Sequence, residues 1–345
     1  MDISDFNYEL PDDLIAQHPL PQRDASRMLI LDRGKQSWRD SYFKNLPAEL
    51  SAGDVLVINN TRGFPARLRG NRVPSGGSIE LLLAQEIAPN TWEALARPAR
   101  RLRIGERIEF DGGALQAQVI DSRSRGMRVI EFITDENVND AIDRIGEPPL
   151  PPYIKSEGRK LSEDKSRYQT VYAAQRGAIA APTAGLHFTP WIFETLESRG
   201  VRIAQITLHV GYGTFEPVRV RDVTKHAVAP ERFSISETAA NIINEARASG
   251  NRTVAVGTTT ARALESAGSP TGVVKSQSGF ASLTIVPGYQ FRAVDGLLTN
   301  FHLPQSSLLI LVSAFANREF ILRAYEHAVK ERYRFYSYGD CMLII

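Results

Sequence analysis

The stretch RTVAVGTTTARALES, residues 252–266, decides how the fold is read. RTVAVG has the short, β-branched, apolar character of a buried strand, and Gly257 ends it. TTTARALES then starts at once as a helix, with its alanines and Leu264 at helical spacing. A strand that turns directly into a helix is the repeating unit of an α/β sheet. The same turn aims the free amides of a helix start, three hydroxyls and Arg262 at one point, which favours an anion such as a carboxylate or phosphate. An ordinary hydroxyl-capped helix is the plainer reading of the same residues.

Outward from this stretch the alternation persists. Thr189 and Pro190 form an N-cap and first-turn pair ahead of WIFETLESR, Gly200 stops that helix, and VRIAQITLHV follows as a strand. Ser236 with Glu237 opens a further helix through Ala248. Asn317 caps another, whose Phe320, Ile321, Ala324, Tyr325, Ala328 and Val329 share a face. The C-terminal RYRFYSYGDCMLII reads equally as an edge strand or as an aromatic wall for a base.

Upstream the pattern changes. DVLVIN, SIELLLA, TWEALA, RIEF, ALQAQVI and MRVIEFI are short β-like segments separated by turns such as NRVPSGG and DGG. They predict a small all-β barrel or sandwich over residues 61–150, closed off by the proline run GEPPLPPY at 146–153. KSEGRKLSEDKS, residues 155–166, reads as a surface loop. Residues 1–60 carry too few elements for a domain of their own, so they join residues 151–345 in one large α/β domain with the β-domain inserted.

Composition bounds the function. The chain has 345 residues, 43% hydrophobic and 23% charged, with a mean hydropathy of −0.22. Wholesale disorder and collagen-like repetition are excluded, and the longest apolar run, Leu308 to Val312, is far short of a membrane span. The acidic start MDISDFNYELPDD lacks a secretory pattern, which points to the cytoplasm, and a single cysteine, Cys341, allows neither a disulfide framework nor a thiolate metal site. Net charge is only +2, yet residues 61–128 hold twelve arginines, no lysine and seven acids. Arginine forks grip phosphate in pairs, so an RNA-facing surface, with Arg97, Arg100, Arg101 and Arg103 at its centre, stands beside the reading of a solvated β-surface.

Three segments place a histidine among small and aromatic residues: AAPTAGLHFT (His187), LHVGYGTFEPV (His209) and TNFHLPQSS (His302). Each histidine has a core reading and a functional one. That all three sit at glycine- and proline-rich junctions favours function for at least one. No His-x-x-x-His or HExxH spacing supports a metal site.

These segments, together with DFNYELPDDLIAQHPLPQRDASR, GDVLVINNTRGFPARLRG, PLPPYI, RYQTVYA, PGYQF and YRFYSYGDCM, closely resemble the queuosine-pathway family of S-adenosylmethionine:tRNA ribosyltransferase-isomerases, over nearly the whole chain. The resemblance implies a large α/β barrel-like domain with an inserted β-barrel. It implies transfer and isomerisation of the ribosyl part of S-adenosylmethionine onto 7-aminomethyl-7-deazaguanine at the tRNA wobble position, giving epoxyqueuosine and releasing adenine and methionine. On this reading the cosubstrate is S-adenosylmethionine, the partner is tRNA, no metal is needed and the enzyme is a monomer. His187, His209 and His302 are the candidates for proton transfer, with Asp340 and Glu231 as carboxylate alternatives. Tyr212, Phe215 and Phe301 would face the sulfonium, and Thr258, Thr259, Thr260 and Arg262 would hold the methionine carboxylate. The chain departs from the family pattern in HAVAPE, which keeps His226 and Glu231 but has Val228, Ala229 and Pro230 between them, and at Ser156, Ala281 and Thr284. The departures leave two other readings, a noncatalytic RNA-binding paralogue and an S-adenosylmethionine-dependent RNA methyltransferase.

Overall fold

A computed structural model describes residues 1–149, 153–154, 167–211, 213 and 217–345. The expected surface loop at 155–166, and with it Ser156, lies outside the described residues, as do Tyr212 and Phe215. The chain opens with β1 (Arg27–Asp32) and β2 (Ser37–Tyr42), turns through α1 (Leu46–Glu49), and enters β3 (Val55–Asn59) and the short β4 (Thr61–Gly63). Six strands follow: β5 (Arg67–Val73), β6 (Ser78–Ala88), β7 (Thr91–Arg97), β8 (Arg107–Phe110), β9 (Leu115–Ser122) and β10 (Met127–Ile133), then α2 (Val138–Ile145). The remainder alternates as β11 (Gln175–Ala178), α3 (Pro190–Ser198), β12 (Arg202–Leu208), β13 (Glu231–Ile235), α4 (Glu237–Ala248), β14 (Thr253–Val256), α5 (Thr258–Ala267), β15 (Gln277–Ala281), β16 (Gly296–Asn300), α6 (Ser307–Ala316), α7 (Arg318–Lys330) and β17 (Cys341–Ile344).

β5 to β10 close into a six-stranded barrel in the order β10-β7-β6-β5-β8-β9. Strict alternation builds it: Thr91–Arg97 has Trp92, Ala94 and Ala96 buried and its other residues facing outward. Closure removes the unpaired edges that a small sheet would otherwise expose.

The other strands form a nine-stranded sheet, β15-β13-β12-β3-β14-β16-β17-β1-β2. Its centre, β12-β3-β14-β16, is parallel, and β3, β14 and β16 are buried along their whole length, as strands covered on both faces must be. Fully burying one such Val or Leu is worth about 1.5–3 kcal/mol. The C-terminal segment is a correction to the edge-strand reading: β17 lies inside the sheet, antiparallel to β16 and parallel to β1, with all four residues buried. Its apolar CMLI suits that place, and burial pushes the Cys341 thiol well above its usual range.

The helix starts follow their caps. Thr189, Ser236 and Asn317 each accept main-chain amide bonds from the first turns of α3, α4 and α7. The apolar run Leu308–Val312 lies in α6, which is buried on nearly every side. No helix among the described residues is long and apolar enough to cross a membrane.

Candidate active site

The parallel strands all end at one edge of the sheet, where open α/β folds gather ligands. β12 delivers His209 there, β3 delivers Asn59 and leads into Thr61 at the start of β4, β14 runs into Gly257 and α5, and β16 runs into Asn300 and His302. Because β17 is antiparallel to β16, the turn before it brings Tyr336 and Ser337 to the same edge. Three hollows meet here. One of about 60 Å³ is lined by Ala180–Ala184, Gly257–Thr259, Thr299–His302, Tyr336 and Ser337. A second, of about 30 Å³, surrounds Arg262, Glu231 and His226, and shares Thr258, Thr259 and Leu308 with the first. The third is a cleft of about 700 Å³ against the barrel, which reaches the first hollow at Val210 and the second at Glu231.

The three expected histidines separate on which ring nitrogens the protein uses. Asn300 donates its amide to the carbonyls of Tyr336 and Ser337, so its oxygen accepts from His187 Nε2 at 3.3 Å, and Nδ1 faces Ser26 Oγ at 2.9 Å. His302 is bound by Tyr325 at Nδ1 and Thr299 at Nε2, both at 3.2 Å. Both rings are buried, and burial pulls their pKa values down to about 4 for His187 and about 3 for His302. They are neutral, satisfied core groups.

His209 differs. Its Nδ1 lies 2.8 Å from Thr61 Oγ1, while its ring borders the large cleft and Nε2 has no hydrogen-bond partner among the described residues. Thr61 Oγ1 also lies 3.4 Å from the Gln175 carbonyl; in the tautomer where its hydroxyl proton points there, Nδ1–H donates to Thr61 and Nε2 is the bare nitrogen. Partial burial, with the Arg232 charge adding to it, keeps the ring below its ordinary pKa and neutral. Gly177 backs the ring so closely that a Cβ there would stand 2.7 Å from it.

At the start of α5, Gly257 adopts φ +89, a conformation that suits glycine, and offers no side-chain cap. The first turn thus has no side-chain cap where Gly257, Thr258 and Thr259 line the hollow. Thr260 is spent: its hydroxyl donates to the Val256 carbonyl at 2.6 Å. Arg262 is spent as well, donating to Glu231 Oε2 at 2.8 Å and to the carbonyls of Ala281, Leu283 and Ala229. Glu231 in turn accepts from the Gly211 amide at 2.9 Å. The pair thus ties β13, β15 and α5 around the smallest hollow. Phe301 packs its ring among Tyr325, Tyr333 and Phe335 with centroids 5.0–5.4 Å apart, and only its position in the chain borders the site. Asp340 accepts the amides of Arg27 and Arg334, each at 2.8 Å, and burial raises its pKa. It ties the start of β1 to the turn before β17.

Several participants carried no signal in the sequence. Thr61 is set by Asn59, whose buried amide pairs with both main-chain groups of Leu208 at 2.9 Å. Tyr168 and Asn300 line the first hollow without a residue type that announces itself, and Tyr336 beside them comes from RYRFYSYGDCMLII, the segment with the aromatic-wall reading. The departures from the family pattern turn out to be neighbours: the Val228 amide donates to Thr284 Oγ1 at 3.1 Å, beside the carbonyls of Ala229 and Ala281 that Arg262 holds. Among the described residues no three His, Cys, Asp or Glu side chains gather as metal ligands would.

The model of a family described as "Queuosine biosynthesis protein" matches residues 3–344. The chain belongs to the queuosine biosynthesis protein family. Among its relatives, a protein of Desulforamulus reducens named S-adenosylmethionine:tRNA ribosyltransferase-isomerase is 50% identical over 345 residues, the full length of both chains. A protein of the same name from Caldanaerobacter subterraneus is 47% identical over 342 residues, 99% of each. The crystal structure of an S-adenosylmethionine tRNA ribosyltransferase from Thermotoga maritima aligns with a TM-score of 0.56 at 35% identity, over 99% of this chain and 100% of that one. The sheet with its closed barrel is thus a fold seen in the queuosine biosynthesis family.

Proposed function

We propose that the chain is an S-adenosylmethionine:tRNA ribosyltransferase-isomerase that moves and isomerises the ribosyl group of S-adenosylmethionine onto 7-aminomethyl-7-deazaguanine at the tRNA wobble position. The observation that carries the reading is the end-to-end identity with relatives of that name. The products on this reading are epoxyqueuosine in tRNA, adenine and methionine. The site supports it by its layout, a hollow at the uncapped start of α5 that opens on a cleft large enough for a nucleotide.

Within the site, the uncapped first turn of α5 with Thr258 and Thr259 is suited to the methionine carboxylate, since unpaired helix amides and the dipole favour an anion. Abstraction of a proton from the ribose carbon beside the sulfonium needs a neutral base with a free lone pair. His209 Nε2 fits that demand, whereas His187 and His302 have both nitrogens bound. Tyr212 and Phe215, next to His209 in sequence, remain our candidates for facing the sulfonium. The division into residues 1–60 plus 151–345 and an inserted 61–150, a monomeric state and a cytoplasmic location belong to the same reading, which limited proteolysis and sedimentation would check.

The test is incubation with S-adenosylmethionine and tRNA bearing 7-aminomethyl-7-deazaguanine. Adenine release with methyl label recovered in methionine is the expected result. Label in RNA would make the protein a methyltransferase, and RNA binding without adenine would make it a noncatalytic paralogue.

A further inference from the structure

The outer face of the sheet's edge carries a residue that packing does not explain. On β13, Phe233 and Ile235 point into the core, and Arg232 and Ser234 point out. On β15, Ser278 stands opposite Ser234, with their hydroxyls 2.9 Å apart, and Phe280 stands opposite Arg232. The outer positions are polar except for Phe280, whose ring is 58% exposed on the strand that ends the sheet.

Phe280 and Arg232 both line the 700 Å³ cleft. The facing wall belongs to the barrel and its neighbours: Ile87, itself exposed, Phe64 and Trp92, whose rings lie 5.5 Å apart, and Asn139 on α2. Arg176 sets its guanidinium 5.0 Å from the Phe64 ring and pairs with Asp143 through Nη1 at 2.5 Å. Its buried Nη2 has no hydrogen-bond partner among the described residues, and neither has the indole N–H of Trp92. Of the two acids on the cleft wall, Glu231 is already paired with Arg262, which leaves Glu86. The cleft therefore combines an exposed ring, two guanidinium groups and unspent N–H donors, and His209 opens onto it.

We propose that this cleft receives an unstacked nucleotide flanking the one that reacts, with its base stacked on Phe280 and its phosphates beside Arg232 and Arg176. Single-stranded nucleic acid is held in this way, by aromatic faces that accept any base and by cations that follow the backbone. Directly opposite residues on neighbouring strands lie close together, so ring and cation meet one nucleotide at once. The proposal rests on tRNA being the substrate and adds where a loop nucleotide is held.

The test compares wild type with Phe280→Ala and Phe280→Trp, measuring affinity for an anticodon stem-loop and steady-state adenine release. Loss of one base–aromatic stack corresponds to about a 10- to 100-fold weakening in Phe280→Ala. Phe280→Trp should stay near wild type. Thermal stability, KM for S-adenosylmethionine and turnover at saturating RNA should not change, since the ring is exposed and holds a neighbour of the reacting base. Unaltered RNA affinity in Phe280→Ala would overturn the placement. So would a fall in turnover at saturating RNA, or a wild-type dimer that Phe280→Ala dissolves without affecting RNA. If the wild type releases no adenine, the functional reading itself fails; if it does and the variant binds RNA equally well, only the placement fails.

Discussion

Thr61 and His209, 148 positions apart in the chain, are joined by a 2.8 Å contact between Oγ1 and Nδ1 where β3 and β12 end. The contact holds the ring through Nδ1 at the border of the cleft and leaves Nε2 without a hydrogen-bond partner among the described residues. His209→Gln is expected to lower adenine release about 100- to 10,000-fold in a folded protein, the span of a lost proton-transfer residue. Thr61→Val, which removes one orienting hydrogen bond, should cost roughly 5-fold in turnover with both KM values unchanged. Full activity in His209→Gln would eliminate it as the base.

The buried histidines predict a pH effect on stability instead. Burial holds His187 at about 4 and His302 at about 3, against 6.5 for the free side chain. A lowered folded-state value means that the unfolded chain binds the proton first. The stability these rings contribute is complete above about pH 6.5 and is lost as pH falls toward those values, at up to about 1.4 kcal/mol per pH unit for each ring. Replacing His302 with Gln should lower stability at pH 7, and should reduce the further loss between pH 7 and pH 5 by about 2 kcal/mol. Denaturant titrations at the two pH values measure this; equal losses in both proteins would count against it.

Arg262 and Glu231 form an ion pair with side chains only 8% and 4% exposed. Removing either charge strands the other in the protein, so Glu231→Gln and Arg262→Ala should each cost about 3–5 kcal/mol of stability. Calorimetry on whichever variant remains folded should show S-adenosylmethionine affinity falling far less than stability. Loss of affinity without loss of stability would return Arg262 to the role of a ligand clamp.

The loop from Arg97 to Arg103 is held from beneath. Buried Arg128 donates to the carbonyls of Leu102 and Ala99, and Arg72 donates to that of Arg101. Arg100, Arg101 and Arg103 are thereby presented to solvent on a fixed frame. Arg100→Ala with Arg101→Ala should weaken RNA binding at every sequence and reduce the salt slope by about one unit per lost phosphate contact. Turnover should recover at saturating tRNA. An unchanged slope would mean that these side chains are only a solvated surface.

What could be read from the sequence follows a physical boundary. The caps at Thr189, Ser236 and Asn317 and the alternation of TWEALA are local chemistry, and they stand in the structure where the residues indicate. The roles of the three histidines were not legible. Their difference depends on Ser26, Asn300 and Thr61, each more than a hundred positions away from the ring it binds. Arg262 read as a ligand clamp because its carbonyl partners come from two other segments. Phe280 carried no signal, since only the register of β15 against β13 reveals an apolar ring on a polar face.

The place of β17 between β16 and β1 has a consequence for the order in which the molecule can be built on the ribosome. The barrel pairs strands within residues 67–133, so its contacts are available early in synthesis. β1, made near the beginning, must wait with its β17-facing edge open until residues 341–344 emerge. Stalled chains ending before Cys341 should therefore yield a protease-resistant barrel while β1 and β2 remain cleavable, and the edge of the sheet that holds the proposed site would be completed last.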